Sequence, residues 1–364
     1  GEQETVVRLR IIPAEADDPS QTEDIAIVRD EVKLKDKLVT AQLIEMKKAD
    51  DSSQKIGWIT IPSFYSDLET GGNSVTSHVN SLMMRLIEEK IDGLVIDLRG
   101  NGGGLLDEVV KMTGLFIPQG PVVQSRDFRN NLDVKESTNP QPAYSGPMMV
   151  LTDKASASAS EIMAAALQDY GRALIVGESS TFGKGTVQTL LTVAKHIPFL
   201  TRRSLPDSGR RAGRLKVTVQ KYYRIAGGST QLRGVIPDVV LPSVRDAMDI
   251  GEESLDHHLE YGTIDPLKFQ TFAGGNLPIG DLRKASAERV KKQQDFTYVV
   301  EDTERIKRQV EENVVSLNLE KRQSENAENR LRQKERNAER RARYAQIEEA
   351  EKGQFAIYKL TLDN

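Results

Sequence analysis

The strongest constraint on this chain is a change of hydrophobic period along it. Between residues 57 and 176, apolar runs of strand length alternate with longer runs of helical period. Strands are expected over 57–61, 93–98, 122–125, 148–152 and 173–176, and helices over 77–90, 105–116 and 158–170. A chain so patterned closes its core by packing helices on a sheet, the α/β class. Two further runs, 187–193 and 215–223, read as strands that extend the same sheet. The second alternates with period two and runs into the turn Ala226-Gly227-Gly228-Ser229.

The flanks are patterned differently. Short β-branched or alternating runs at 6–13, 24–28 and 38–46, separated by stretches such as Asp17-Asp18-Pro19-Ser20, make 1–55 a β-rich segment. Beyond Pro242 the composition shifts to Glu, Lys, Arg, Gln and Asn, and 286–346 reads as long polar helices. Val299, Val300, Ile306, Val310, Val314, Val315 and Leu317 can form one apolar stripe, whereas 331–344 is nearly all polar and reads as a solvated helix or arm. The organisation expected is a β-rich segment over 1–55, an α/β core over 56–243 and a helical extension over 244–364.

Composition narrows the chemistry. With 364 residues and a net charge of -4, the chain carries no global attraction for nucleic acid or acidic lipid. It has no cysteine, which excludes thiolate catalysis, a disulfide scaffold and cysteine-ligated metal. No apolar run approaches the roughly 18 residues of a membrane span, and the start Gly1-Glu2-Gln3-Glu4 has no signal-peptide character. Its four histidines, His78, His196, His257 and His258, sit in no motif.

A serine hydrolase on this chain would therefore draw on a lysine as base. Asp153-Lys154-Ala155-Ser156-Ala157-Ser158-Ala159-Ser160-Glu161 runs into an apolar helix, and Thr181-Phe182-Gly183-Lys184-Gly185 follows one helix and one strand later. A serine hydroxyl needs a neighbouring base and donors for the developing oxyanion. Ser158 at the start of a helix meets free backbone N–H groups, the Ala159 amide among them. The competing reading is that Ser156, Ser158 or Ser160 simply caps the helix, Ser158 and Glu161 having capping-box spacing.

A lysine base must be neutral, which requires a pKa of about 10.4 to fall towards about 7 by burial. Lys184, set between Gly183 and Gly185 and leading into a strand, is such a candidate; the alternative is a solvated surface charge. The turn Arg99-Gly100-Asn101-Gly102-Gly103-Gly104-Leu105 follows an apolar strand and exposes backbone N–H groups, suiting an oxyanion hole, a phosphate cradle or a tight connection. Nucleotide binding fails on spacing. Leu105 stands where the dinucleotide fingerprint needs Gly or Ala, and Gly185 follows Lys184 where a P-loop needs Ser or Thr. Asp169 lies 11 residues after Ser158, about 16 Å along a continuous helix. A structural pairing, with Arg172 as the expected partner, suits it better than contact with Ser158.

These motifs, in this order and with Phe64-Tyr65, Gly114-Leu115-Phe116-Ile117-Pro118 and Gly228-Ser229-Thr230-Gln231, resemble the tail-specific proteases. These are the carboxy-terminal processing peptidases of peptidase family S41, and the likeness is above all to the long proteobacterial periplasmic type. It covers 6–241 and extends over the helical tail. It implies a layered α/β serine-protease core, an ATP-independent endopeptidase, no cofactor and no metal. By motif position the nucleophile falls on Ser158, the general base on Lys184 and its orienting residue on Gln188. The oxyanion region falls on Gly103, Gly104 and Ala159, and supporting positions on Glu161, Asp169 and Thr181. One departure is that the loop 177–184 is a residue longer than the family's usual one.

The resemblance also implies a PDZ domain before the core, of which the run 6–13 would be the last strand, so that this chain would recognise tails poorly. Substrates would be polypeptides with apolar C-terminal tails in the periplasm, peptidoglycan-remodelling hydrolases among them, with a helical-repeat lipoprotein as adaptor. Two rivals stand beside this reading. One is a non-catalytic scaffold whose polar helices dock a partner; the other is an acyl-thioester enzyme that uses the glycine turn and gives Ser158 no role.

Overall fold

The computed structural model of the protein describes residues 2–14, 16, 20–30, 38–47, 52–66, 74–196, 213–272 and 277–362. The turn expected at 17–19 lies outside them. The chain forms two units, Gly1–Leu38 and Val39–Asn364. In the first, β1 (Val6–Ile11) and β2 (Glu23–Val28) pair antiparallel with Val6 opposite Val28. An exposed Arg10–Asp24 ion pair ties their far ends.

In the second unit the alternating sequence yields β3 (Thr40–Lys47), β4 (Ser53–Thr60), α1 (Val75–Glu88), β5 (Gly93–Asp97) and α2 (Leu106–Thr113). These are followed by β6 (Gly120–Asp127), β7 (Leu132–Ser137), β8 (Met148–Thr152), α3 (Ala159–Asp169) and β9 (Leu174–Gly177). Five strands run parallel in the order β12-β9-β8-β5-β4, where β12 is Val239–Val240. Parallel neighbours need crossovers, and α1 and α3 supply two of them, between β4 and β5 and between β8 and β9. Val79, Leu82, Met83 and Leu86 of α1 pack into the same core as Ile59, Leu94, Ile96 and Val150 of the sheet and Met163, Ala164 and Leu167 of α3. This is the layered α/β core that the alternation implies.

Strands β3 and β13 (Phe355–Leu360) complete that sheet antiparallel beyond β4. So β3, within the β-rich segment expected over 1–55, belongs to the main sheet. Its inward residues Ala41 and Leu43 alternate with more exposed ones, which fixes the face it buries. The C-terminal strand is an element that the polar sequence around it did not announce.

The strands expected to extend this sheet instead build another. β10 (Thr186–Thr192) and β11 (Arg214–Tyr223) join β6 and β7 in a separate antiparallel sheet of order β10-β11-β6-β7. Long strands with exposed residues at their ends, such as Leu190 and Leu215, cannot sit inside a parallel sheet that is buried on both faces.

The helical extension forms α4 (Ile279–Lys292), α5 (Gln294–Glu312) and α6 (Leu319–Ala350). The expected apolar stripe is cut short: α5 ends at Glu312, and Val314, Val315 and Leu317 are exposed beyond it. Charge does the joining. Asp295 of α5 accepts from Arg340 and Arg343 of α6 at 2.7 and 2.9 Å, and Arg336 reaches Asp302 at 2.8 Å while lying over Tyr298. Among the described residues, no helix is long and apolar enough to cross a membrane.

Candidate active site

β5 and β8 are adjacent parallel strands, so the turns that leave their C-terminal ends, the glycine turn 99–105 and the serine loop 153–158, lie side by side. Asp153 knits them together. Its buried carboxylate accepts from the Gly100 and Ala155 amides at 3.0 Å and from Ser156 Oγ at 3.1 Å. Arg245 pairs with it at 2.5 Å from the far side. Asn101, fully buried, donates to the Ile61 carbonyl, and its own carbonyl accepts from the Ala157 amide and Ser160 Oγ.

These bonds separate the three serines. Ser156 Oγ donates to the Leu98 carbonyl at 2.8 Å and Ser160 Oγ to the Asn101 carbonyl at 2.9 Å, both fully buried. Their hydroxyls are committed to structure. Ser158 is partly exposed at the N-cap of α3, where it forms the capping box with Glu161 that its spacing suggested, with φ 57° and ψ -111°. That is a conformation L-residues avoid, costing on the order of 1–3 kcal/mol, and such strain clusters at functional sites.

Glu161, on the first turn of α3, organises what surrounds Ser158. One carboxylate oxygen accepts from the Ser158 amide at 2.7 Å and the Lys184 amide at 2.9 Å. The other accepts from Thr181 Oγ1 at 2.6 Å and the Gly183 amide at 2.7 Å. A single buried side chain thus joins the serine loop to the loop that carries the lysine. Burial pushes its pKa up to about 7, with the four donors pulling against it. The Phe182 amide adds a direct link to the Ser156 carbonyl at 3.0 Å, so the longer loop before Lys184 still closes on the serine loop. Thr181 Oγ1, donating to Glu161, accepts from the Val235 amide at 2.7 Å.

Lys184 is half-buried, and its Nζ donates to Gln188 Oε1 at 3.2 Å. Burial lowers its pKa, Lys216 adds to the effect, and Glu252 and Glu161 oppose it. Gly103 approaches Ser158 so closely that a Cβ on it would stand 2.9 Å from Ser158 Cβ and 3.1 Å from the Ala159 nitrogen. Its φ of +104° also requires glycine. The Gly103 amide, however, donates to Asn101 Oδ1 at 2.8 Å, so it is not a free donor. The Gly104 and Ala159 amides donate to no other group among the described residues.

Asp169 is not brought to this cluster. It stands at the other end of α3 and pairs with Arg224 at 2.5 Å, whereas Arg172, its expected partner, is buried and donates to the Phe116 and Tyr144 carbonyls. His78 is elsewhere too: it lies on α1, where its Nδ1 shares a hydrogen bond of 2.8 Å with the Tyr65 hydroxyl. Three residues that the sequence reading gave no role do touch the cluster. Asn101 and Gln231 orient the glycine turn and the Gly185 amide, and the buried Tyr222 hydroxyl lies against the Ser158 and Lys184 carbonyls. Asn101 and Gln231 stood in quoted motifs; a tyrosine inside a strand carries no signal of its own.

Comparison with known proteins bears on the family. Residues 55–241 match the model of peptidase family S41, and residues 245–359 match that of the C-terminal domain of tail specific protease. The chain is 36% identical over 329 residues to the tail-specific protease of Haemophilus influenzae, covering 90% of this chain and 44% of that protein. It is 32% identical over 253 residues to the carboxy-terminal-processing protease of Bartonella bacilliformis, covering 65% and 49%. The chain thus spans about half the length of the curated relatives it matches. Among solved structures, the photosystem II D1 C-terminal processing protease is similar at 28% identity and a TM-score of 0.47, over 66% of this chain and 56% of that one. With the S41 match extending over more than half of its residues, this chain belongs to peptidase family S41.

Proposed function

We propose that the protein is an ATP-independent serine endopeptidase in which Ser158 is the nucleophile and Lys184 the general base. The observation that carries this reading is the Glu161 carboxylate, which binds the main-chain amides of both residues at 2.7 and 2.9 Å. Neutral Lys184 Nζ takes the proton of Ser158 Oγ as Oγ bonds to the scissile carbonyl carbon. The resulting oxyanion is held by the Gly104 and Ala159 amides. Gly103 supplies the space for this approach, because its own amide is bonded to Asn101.

The C–N bond then breaks, and the Lys184 ammonium passes its proton to the departing amine. Water, deprotonated by Lys184, attacks the acyl carbon. The ester bond to Ser158 breaks, the acid product leaves, and Oγ recovers its proton. In this reading Gln188 Oε1, which accepts from Nζ at 3.2 Å, is the group that orients the amine.

The whole protein's substrates are read as periplasmic and other envelope polypeptides marked by apolar C-terminal tails, delivered in part by a helical-repeat lipoprotein adaptor. The names of the relatives in Haemophilus influenzae and Bartonella bacilliformis support tail-directed processing. The test is hydrolysis of an unfolded, tailed polypeptide by the chain and by its Ser158→Ala form. Cleavage by the chain alone is the expected result; equal cleavage by both rejects Ser158 as nucleophile.

A further inference from the structure

Glu161 holds the amide N–H of Ser158 and of Lys184, which leaves their carbonyl oxygens to be restrained from another side. The Tyr222 hydroxyl lies against both, 3.2 Å from the Ser158 oxygen and in hydrogen-bond contact with the Lys184 oxygen. We infer that Tyr222 is a positioning residue, a second clamp that acts through the main chains of Ser158 and Lys184 to set the distance over which the proton moves. This inference rests on the dyad reading above.

Three features make Tyr222 suited to this. Its own backbone is fixed, its amide donating to the Gly185 carbonyl at 2.9 Å and its carbonyl accepting from Ser229 Oγ at 3.1 Å. Its ring is among the largest fully packed side chains in the protein, so the hydroxyl has little freedom. Burial, with Glu161 nearby, pushes the phenol well above its ordinary range, so it stays a donor at any working pH.

The clamp is also separable from folding. The Ser158 carbonyl accepts independently from the Ile162 amide at 3.0 Å, and the Lys184 carbonyl from Thr230 Oγ1 at 3.2 Å. Loss of the Tyr222 hydroxyl therefore orphans neither oxygen. It removes only the one group that touches both, and misplacement by an ångström at a reacting centre costs about 100-fold in rate.

Tyr222→Phe keeps the ring and tests this. With a tailed polypeptide as substrate, kcat is expected to fall by about tenfold or more while KM holds. The rate of Ser158 labelling by a fluorophosphonate falls in parallel, and the thermal midpoint stays near the parent value. Parent-like kcat and labelling in the folded variant overturn the proposal.

Should Tyr222→Phe not fold, Thr230→Val takes its place. The single phenol proton is then drawn to Lys184 and away from Ser158, and kcat falls with KM unchanged; an unaltered kcat refutes the clamp. Ser158→Ala run alongside tests the underlying reading, since residual hydrolysis there condemns the dyad whatever Tyr222→Phe does.

Discussion

Three serines within five residues differ in what their hydroxyls are bonded to, and that difference gives separable predictions at the scale of the residue. Ser156→Ala and Ser160→Ala each remove a buried donor to a carbonyl. Each is expected to lower unfolding free energy by about 1–3 kcal/mol and to leave labelling at Ser158 intact. Ser158→Ala is expected to abolish hydrolysis at little cost in stability, as urea titration beside the activity assay will show.

Glu161 gives a pH dependence. Its pKa is about 7 in the folded chain against an ordinary 4.5, so the folded state keeps the proton longer. That stability is fully present below about pH 4.5 and lost as pH rises through about 7. The stability of the parent relative to Glu161→Gln is expected to decline by about 3 kcal/mol between pH 4 and pH 8. A difference independent of pH would contradict the assignment. Lys184 titrates in the other sense for activity. It must lose its proton to act, and burial lowers its pKa, so kcat/KM is expected to rise with pH along a limb below the usual lysine range of about 10.4.

At the scale of the element, the parallel strands, the helices between them and the glycine turn were legible because each is written locally, in period and punctuation. Gly104 illustrates the turn. A Cβ there would stand 2.2 Å from the Phe64 carbonyl oxygen, in a backbone with φ +153°. Gly104→Ala is expected to cost about 3 kcal/mol or more and to remove activity with the turn, measured by thermal unfolding and hydrolysis together.

The second sheet was not legible as separate, because its pairings are remote: Tyr222 of β11 lies opposite Ser125 of β6. The same remoteness hid Arg224 as the partner of Asp169 and Tyr222 as a neighbour of Ser158. Asp169→Ala leaves the largely buried Arg224 without its carboxylate. It is expected to destabilise the fold by about 3–5 kcal/mol, by loosening the end of α3 from the residue that follows β11.

Over the whole molecule, the order of the motifs pointed to the proposed dyad, whereas the contacts that join its two loops came only from the fold. The serine loop follows β8, the lysine loop follows β9, and Glu161, Thr181 and Phe182 connect them across strands whose adjacency no local pattern states. The C-terminal region is a further case. Its helices were visible as polar runs, but the return of β13 to β3 depends on a register, Ile357 opposite Ile44, set by residues more than 300 positions away.

The central proposal is that Ser158 is made nucleophilic by Lys184. The most direct test is mass-spectrometric mapping of the adduct formed by a fluorophosphonate at neutral pH, in the parent chain and in Lys184→Arg, whose guanidinium cannot give up its proton. The account predicts modification of Ser158 in the parent and none in the folded Lys184→Arg form. Equal modification of Ser158 in both, or modification of a different serine in the parent, would contradict it.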